Sequence, residues 1–336
     1  MVGSEGTLGI IVELTLRLHP LPESIASTVS TFPSIADAVN TVIQTIQLGV
    51  PVARMELLDA LTISALNQYS KTTLREEPTL FFEFHGSPGG VQEQTTQVAE
   101  LAKINHGNDF EWANRPEDRS RLWQARHDAL WAAINLKPGS RGLSTDVCVP
   151  ISRLADCIAE TLADIAKAKL PSPIVGHVGD GNFHVVLLID PNDTDENHRA
   201  HAFAARLAER AIRMEGTCTG EHGVGLGKRE YLIPEHGIVA IDVCEPSKQR
   251  LIRTTSLIQE KSCHPLERLT PCLPIVKHSL RPRLPIAQIV WRQFFCLNSV
   301  KASRRAVLPA PTFFTSFDPH QQLLTLQTTQ RQRNAA

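Results

Sequence analysis

Glycine stops at residue 237, and that limits what this chain can fold into. All 19 glycines of the 336 residues lie at or before Gly237. The stretch from Cys244 to Ala336 carries 14 Lys/Arg against 4 Asp/Glu, leaving 20 against 31 in residues 1–243, so a formal net charge of −1 conceals an acidic part joined to a basic one. Tight turns and close backbone approaches need glycine, so the fold is expected from residues 1–243. The tail, residues 244–336, is rich in Pro, Arg, Gln and Thr and has no clear periodicity. It reads either as a disordered basic tail or as an aberrant segment from a wrong frame or retained noncoding sequence, and on both readings it carries little of the chemistry.

Several function classes drop out. A balance of −1 gives no electrostatic case for nucleic acid or an anionic membrane. No run of eighteen apolar residues exists to span a bilayer, and the first residues, MVGSEGTLGIIVEL, show no targeting peptide. Seven cysteines without paired spacings read as reduced thiols.

IVELTLRL, residues 11–18, alternates apolar and polar residues and predicts a strand ended by the prolines after it. A lone strand has nothing to pair with, so a segment upstream is expected to be missing. Residues 26–113 then alternate strand and helix: ASTVSTF, a helix capped by Ser34, VARMELLD, a short helix, TLFFEFHG, a longer helix, DFEWA. That pattern predicts an α+β fold, one sheet covered by helices on one face, with no residue in it standing out as chemical. EDRSRLWQARHDALWAAINL, residues 117–136, reads as an amphipathic helix in which Arg126 adjoins the apolar stripe, ordinarily a surface position.

Chemistry concentrates in VGHVGDGNFHVVLLID, residues 175–190. His177 and His184 flank the turn GDGN, on the two strands of a predicted hairpin, with Gly179 and Gly181 supplying positive φ. Two imidazoles there can converge on one point, and two nitrogens plus a carboxylate is how many catalytic metal sites are built. Glu221, in GTCTGEHGVGLGKR among glycines 216, 220, 223, 225 and 227, is the candidate third ligand. Spacing alone leaves two readings open, a metal site or solvated and core-satisfied histidines. GLGKR lacks the spacing of a phosphate-binding loop.

Taken in order, GSEGTLGII, WQARH, TDVCVPISRL, GHVGDGNFH and GTCTGEHGVGLGKR resemble the FAD-dependent 2-hydroxyacid dehydrogenases of the vanillyl-alcohol-oxidase flavoprotein superfamily. The wording is nearest to the mitochondrial, cytochrome-linked D-lactate branch. The resemblance covers residues 1 to about 243. It implies a remnant of an FAD-binding domain over 1–22 and a ferredoxin-like cap domain over 23–243, with an antiparallel sheet and covering helices. It also implies that the chain alone is inactive for want of most of its flavin domain.

The implied reaction oxidises D-lactate or a related short D-2-hydroxy acid to the 2-oxo acid, hydride passing to flavin N5. Cytochrome c or another acceptor would take the electrons, in mitochondria. By the same resemblance His177, His184 and Glu221 hold a divalent metal, zinc or manganese, and His222 is the general base. Arg126 clamps the substrate carboxylate, Asn182 lies near flavin or substrate, and Glu5, Gly6, Gly9 and Ile11 line the FAD. Leu130 and STDVC replace the polar groups with which relatives acting on 2-hydroxyglutarate hold a second carboxylate, which favours a short or apolar substrate. The alternatives kept open are a metal-dependent hydrolase using the same His/His/Glu set and a non-catalytic remnant.

Overall fold

The computed structural model describes residues 3–113 and 115–251. They divide into a compact unit, Pro22–Pro246, and a separate unit to which 3–21 and 247–251 belong. In the latter, the Thr7 N–H donates to Ser4 O at 2.9 Å across a turn in which Glu5 and Gly6 take φ of +51° and +75°. The predicted strand over 11–18 is not formed, and residues 9–22 carry no regular structure. Alternation becomes a strand only where a neighbour takes its N–H and C=O groups; none among the described residues does, and Val12 is 81% exposed.

The compact unit alternates as its periodicities predict. β1 (Ser24–Thr31), α1 (Ile35–Gln47), β2 (Val52–Leu58), α2 (Ala60–Ser70), β3 (Thr79–Gly86), α3 (Pro88–Ile104) and β4 (Asn108–Ala113) come first. α4 (Pro116–Asn135), β5 (Arg141–Ser144), β6 (Val147–Cys148) and α5 (Leu154–Ala168) follow. β7 (Ile174–Gly176), β8 (Asn182–Ile189), α6 (Thr194–Arg213), α7 (Leu232–His236) and α8 (Ile238–Leu251) complete the described chain. Ser34 caps α1 as expected, its side chain accepting the Asp37 N–H at 3.1 Å. α8 crosses the compositional break at 243/244; the rest of the tail, from residue 252, lies outside the described residues.

The strands form one sheet in the order β4-β1-β3-β2-β7-β8-β5, with β6 on β8, and all these pairs are antiparallel. The run β4-β1-β3-β2 is the ferredoxin-like order. Helices cover both faces, where one face was predicted. Ala38, Val39 and Val42 of α1, Val98 of α3, Ile158 of α5 and Phe203 and Leu207 of α6 pack with Leu57, Phe82 and Phe84. On the opposite face Ile63 and Leu66 of α2 and Trp123, Ala129 and Ala132 of α4 pack with Leu58 and Phe81. β3 shows why: its first six residues are all buried, and a strand buried on consecutive positions must be covered twice. Trp123 is further tied down by its indole N–H, which donates to Ser27 Oγ at 3.0 Å.

β7 and β8 pair through Ile174↔Val185 and Val175↔His184. The two histidines are therefore not symmetric. His184 stands inside β8, whereas His177 lies just past β7, before a single 3-10 turn at Val178–Asp180. Of the two glycines expected to carry positive φ, only Gly181 does, at +78°. A Cβ there would also meet Val149 O at 2.1 Å.

Candidate metal and substrate site

Three elements bring the polar groups together. β8 supplies His184, the turn before it supplies His177, and the glycine-rich segment after α6 supplies Glu221 and His222. An isolated bridge, Cys148↔Thr217, fastens the start of that segment beside β6. The ligand atoms of His177, His184 and Glu221 all lie within 4.8 Å of one another. Glu221 Oε1 stands 3.4 Å from His177 Nε2, 3.2 Å from His184 Nε2 and 3.3 Å from His222 Nε2. The His177 and His184 rings meet edge to face at 5.7 Å, and His222 stacks on His184 at 5.0 Å.

The remaining nitrogen of each candidate ligand ring is engaged by an acceptor. His184 Nδ1 lies 2.9 Å from Thr145 O, and His177 Nδ1 lies 2.8 Å from Glu56 Oε1. Each Nδ1 is therefore placed to donate its proton to that acceptor, and Nε2 is the nitrogen that faces Glu221. Two such nitrogens and a carboxylate are a donor set that fits a divalent cation.

Electrostatics follow the same geometry. Hydrogen bonds from His177, then His184 and His222, hold the Glu221 carboxyl far below the usual carboxylate range. Burial works against a charged His177, but hydrogen bonds to Glu221 and Glu56 outweigh it and push the ring up to about 10. The hydrogen bond to Glu221 also lifts His222. Burial would raise Glu56, yet the Arg126 charge and the His177 hydrogen bond hold it below its ordinary value.

The carboxylate of Asp146, 2% exposed, pins the segment that carries Glu221. It accepts the backbone N–H groups of Glu221 at 3.2 Å and His222 at 2.9 Å. It also accepts Thr219 Oγ1 at 3.0 Å and Asn182 Nδ2 at 2.9 Å, and Lys228 Nζ stands 3.5 Å away. Close approach makes Gly220 necessary here, since a Cβ would lie 1.7 Å from Asn182 Nδ2 and 2.7 Å from Asp146 Oδ1. The amide of Asn182 spends its NH2 on Asp146 and on Val147 O, both at 2.9 Å. Its Oδ1 is buried and has no hydrogen-bond partner among the described residues.

Arg126 is not the surface residue its spacing suggested. Its side chain is 16% exposed, and its Nε and Nη2 donate to Glu56 Oε2 at 3.1 and 3.0 Å. One edge of the guanidinium is thereby occupied. Glu5, Gly6, Gly9 and Ile11 lie in the separate unit, in the turn and the irregular stretch after it.

Sequence reasoning missed Glu56, Asp146 and Lys228. Glu56 falls in the region read as scaffold. Its signal was a carboxylate inside MELL, where Leu58 on the same face is fully buried. Asp146 had no comparable mark, because its donors come from residues 36 to 82 positions away.

Comparisons with known proteins bear on this site. Residues 21–251 match the family described as FAD linked oxidases, C-terminal domain. A Danio rerio protein named probable D-lactate dehydrogenase, mitochondrial, is 54% identical over 250 residues, 74% of this chain and 50% of that protein. The Arabidopsis thaliana mitochondrial D-lactate dehydrogenase [cytochrome] is 41% identical over 251 residues, 75% of this chain and 44% of the relative. The glycolate oxidase subunit GlcD of Bacillus subtilis is 33% identical over 233 residues, 69% and 49% of the two chains. The chain thus spans about half the length of the curated relatives it matches. Among solved structures, 4-ethylphenol oxidase from Gulosibacter chungangensis aligns at a TM-score of 0.53 and 14% identity, over 70% of this chain and 53% of its own. p-Cresol methylhydroxylase aligns at 0.51 and 14%, over 70% and 52%; likeness at that identity speaks to fold alone. A ferredoxin-like run of strands covered by helices, carrying the motifs of this site along residues 21–251, is the C-terminal domain of an FAD-linked oxidase, and the chain belongs to that family.

Proposed function

We propose that this chain is the substrate- and metal-holding part of a mitochondrial, FAD-linked D-lactate dehydrogenase that oxidises D-lactate, or a similarly short D-2-hydroxy acid, to the 2-oxo acid. The observation that carries the reading is the convergence of His177, His184 and Glu221 within 4.8 Å, with His222 against Glu221 and Arg126 tied to His177 through Glu56. Relatives bearing the D-lactate dehydrogenase name, two of them also marked cytochrome, support the substrate, a cytochrome acceptor and the compartment.

The protein's own groups would work as follows. His177, His184 and Glu221 hold a zinc or manganese ion. Arg126, with its Nε/Nη2 edge spent on Glu56, offers the opposite edge to the substrate carboxylate, a bidentate role suited to guanidinium geometry. His222, a half-exposed ring stacked on His184, takes the proton of the 2-hydroxyl. The unpartnered Oδ1 of Asn182 orients a donor of substrate or flavin. Leu130, one turn beyond Arg126 on α4, leaves an apolar wall where a second substrate carboxylate would need a cation. When bound, the metal supplies a Lewis acid that makes the hydroxyl more acidic and the FAD, lined in part by Glu5, Gly6, Gly9 and Ile11, supplies the hydride acceptor.

Zinc and manganese titration of the purified chain, followed by D-lactate binding to the loaded protein, tests the reading. One ion per chain is expected in the wild type and none in His177→Ala or His184→Ala; D-lactate should bind the wild type and not Arg126→Met. Metal uptake without any D-lactate binding, together with metal-dependent ester or amide hydrolysis, would replace the reading with a hydrolase.

A further inference from the structure

The metal ligand His177 and the proposed substrate arginine are held by the same carboxylate. Glu56 sits on β2, whose ladder with β7 pairs Leu57 with Gly176 and Leu58 with Val175. One more step along that ladder brings Glu56 level with His177. Its two oxygens are divided between the two halves of the site: Oε1 to His177 Nδ1 at 2.8 Å, Oε2 to Arg126 Nε and Nη2 at 3.1 and 3.0 Å. The Glu56 side chain is 10% exposed and that of Arg126 16%, so solvent does little to loosen either contact. β2, the turn after β7 and α4 therefore meet in one hydrogen-bonded chain, Arg126–Glu56–His177.

We infer that Glu56 is a positioning residue that fixes the His177 ring and the Arg126 guanidinium together, so that a change at the arginine is felt at the metal ligand. The inference deepens the proposed function and rests on its metal site. A carboxylate bound to the far nitrogen of a ligand histidine sets its tautomer and ring plane, and loss of such a partner typically weakens metal binding about 10–100-fold. The Arg126 fork is what keeps Glu56 in place. Removing the fork frees Oε2 and lets the carboxylate rotate away from His177, although Arg126 touches no ligand atom itself.

The test is zinc titration of the full chain in wild type, Glu56→Gln, Glu56→Asp, Arg126→Met and the Glu56→Gln/Arg126→Met double variant, each with a thermal melt of the metal-free protein. Expected is about a 10–100-fold weaker zinc affinity in Glu56→Gln. Glu56→Asp should weaken binding too, because it keeps the charge but withdraws the carboxylate. Arg126→Met should weaken zinc binding several-fold, and that effect should vanish in the Glu56→Gln background, the signature of two residues acting through one contact. An unchanged zinc affinity in Arg126→Met, or additive losses in the double variant, overturns the inference. If the wild type takes up neither zinc nor manganese, the metal reading fails and imidazole NMR decides the inference instead. The hydrogen-bonded Nδ1 proton of His177 should then lie downfield in the wild type and move upfield in both Glu56→Gln and Arg126→Met. The same resonance in all three proteins overturns it.

Discussion

Asp146→Asn is the change that separates a preorganised loop from a merely adjacent one. The substitution keeps the shape of the side chain and removes its charge. In the wild type the two carboxylate oxygens receive the N–H groups of Glu221 and His222, the Asn182 amide and the Thr219 hydroxyl, with Lys228 Nζ nearby. An asparagine offers one acceptor oxygen. If that oxygen stays with Asn182 and Glu221, its NH2 group faces the His222 N–H and the Lys228 ammonium, donor against donor. Each hydrogen bond to a charged group contributes about 1.5–3 kcal/mol, and breaking a buried charge pair costs about 3–5 kcal/mol. A loss of about 3–5 kcal/mol is therefore expected, concentrated in the segment from Thr217 to Lys228. Much of it should appear as local opening, because that segment lies outside the sheet and its covering helices. Zinc titration should show about a 10–100-fold loss of affinity, while calorimetry of the metal-free protein shows a smaller fall in melting temperature than about 3–5 kcal/mol of global destabilisation would give. Zinc affinity within twofold of wild type would refute the reasoning, since Glu221 would then be placed without Asp146.

Other expectations test different parts of the molecule. Burial pushes the Asp59 carboxyl, the N-cap of α2, up to about 6 despite hydrogen bonds from Thr62. A folded pKa above the unfolded value of 3.8 means that this group's stabilisation is complete below the unfolded value and is lost as pH rises through about 6; the full span is about 3 kcal/mol. Asp59→Asn keeps the capping oxygen, so urea melts should show the stability of wild type relative to the variant declining between pH 4 and 7, and a constant difference would count against the shift. Gly220→Ala should fold yet lose zinc binding, because a Cβ 1.7 Å from Asn182 Nδ2 must displace the chain just before Glu221; an unaltered titration would show that the loop can yield. In a full-length enzyme, Leu130→Lys should raise turnover of longer dicarboxylic 2-hydroxy acids relative to D-lactate, and an unchanged substrate ratio would remove Leu130 from the pocket.

Local signals carried most of the fold. Ser34 capped its helix, and the strand and helix periods of residues 26–113 gave the elements found there. Two expectations failed for tertiary reasons. IVELTLRL alternates as a strand does, but a strand is a relation between two segments and the described chain provides no partner. The expected sheet carries helices on one face only, whereas the unbroken burial of TLFFEFHG requires helices on both, with Phe81 packing to one side and Phe82 and Phe84 to the other.

The site divides along the same line. Its histidines and Glu221 stand out as candidates, although spacing alone leaves solvated or core-satisfied histidines open. The groups that aim them do not, because a single Glu or Asp in an apolar strand acquires meaning only from what folds against it. Glu56 lies 121 positions from His177 and 70 from Arg126, and no window along the chain contains the three. The sheet order supplies the connection. Placing β7 beside β2 sets Glu56 against His177, and packing α4 on the face of Leu58 delivers Arg126 to the same carboxylate. Arg126 shows the consequence for reading function. From helical spacing it belongs at the surface, from resemblance it belongs to the substrate, and in the structure it is first a partner of Glu56. On the proposed function, a bound carboxylate must therefore share an arginine already fixed on one edge. On that reading the arrangement favours a short acid whose carboxylate can reach the remaining edge while its hydroxyl stays beside His222.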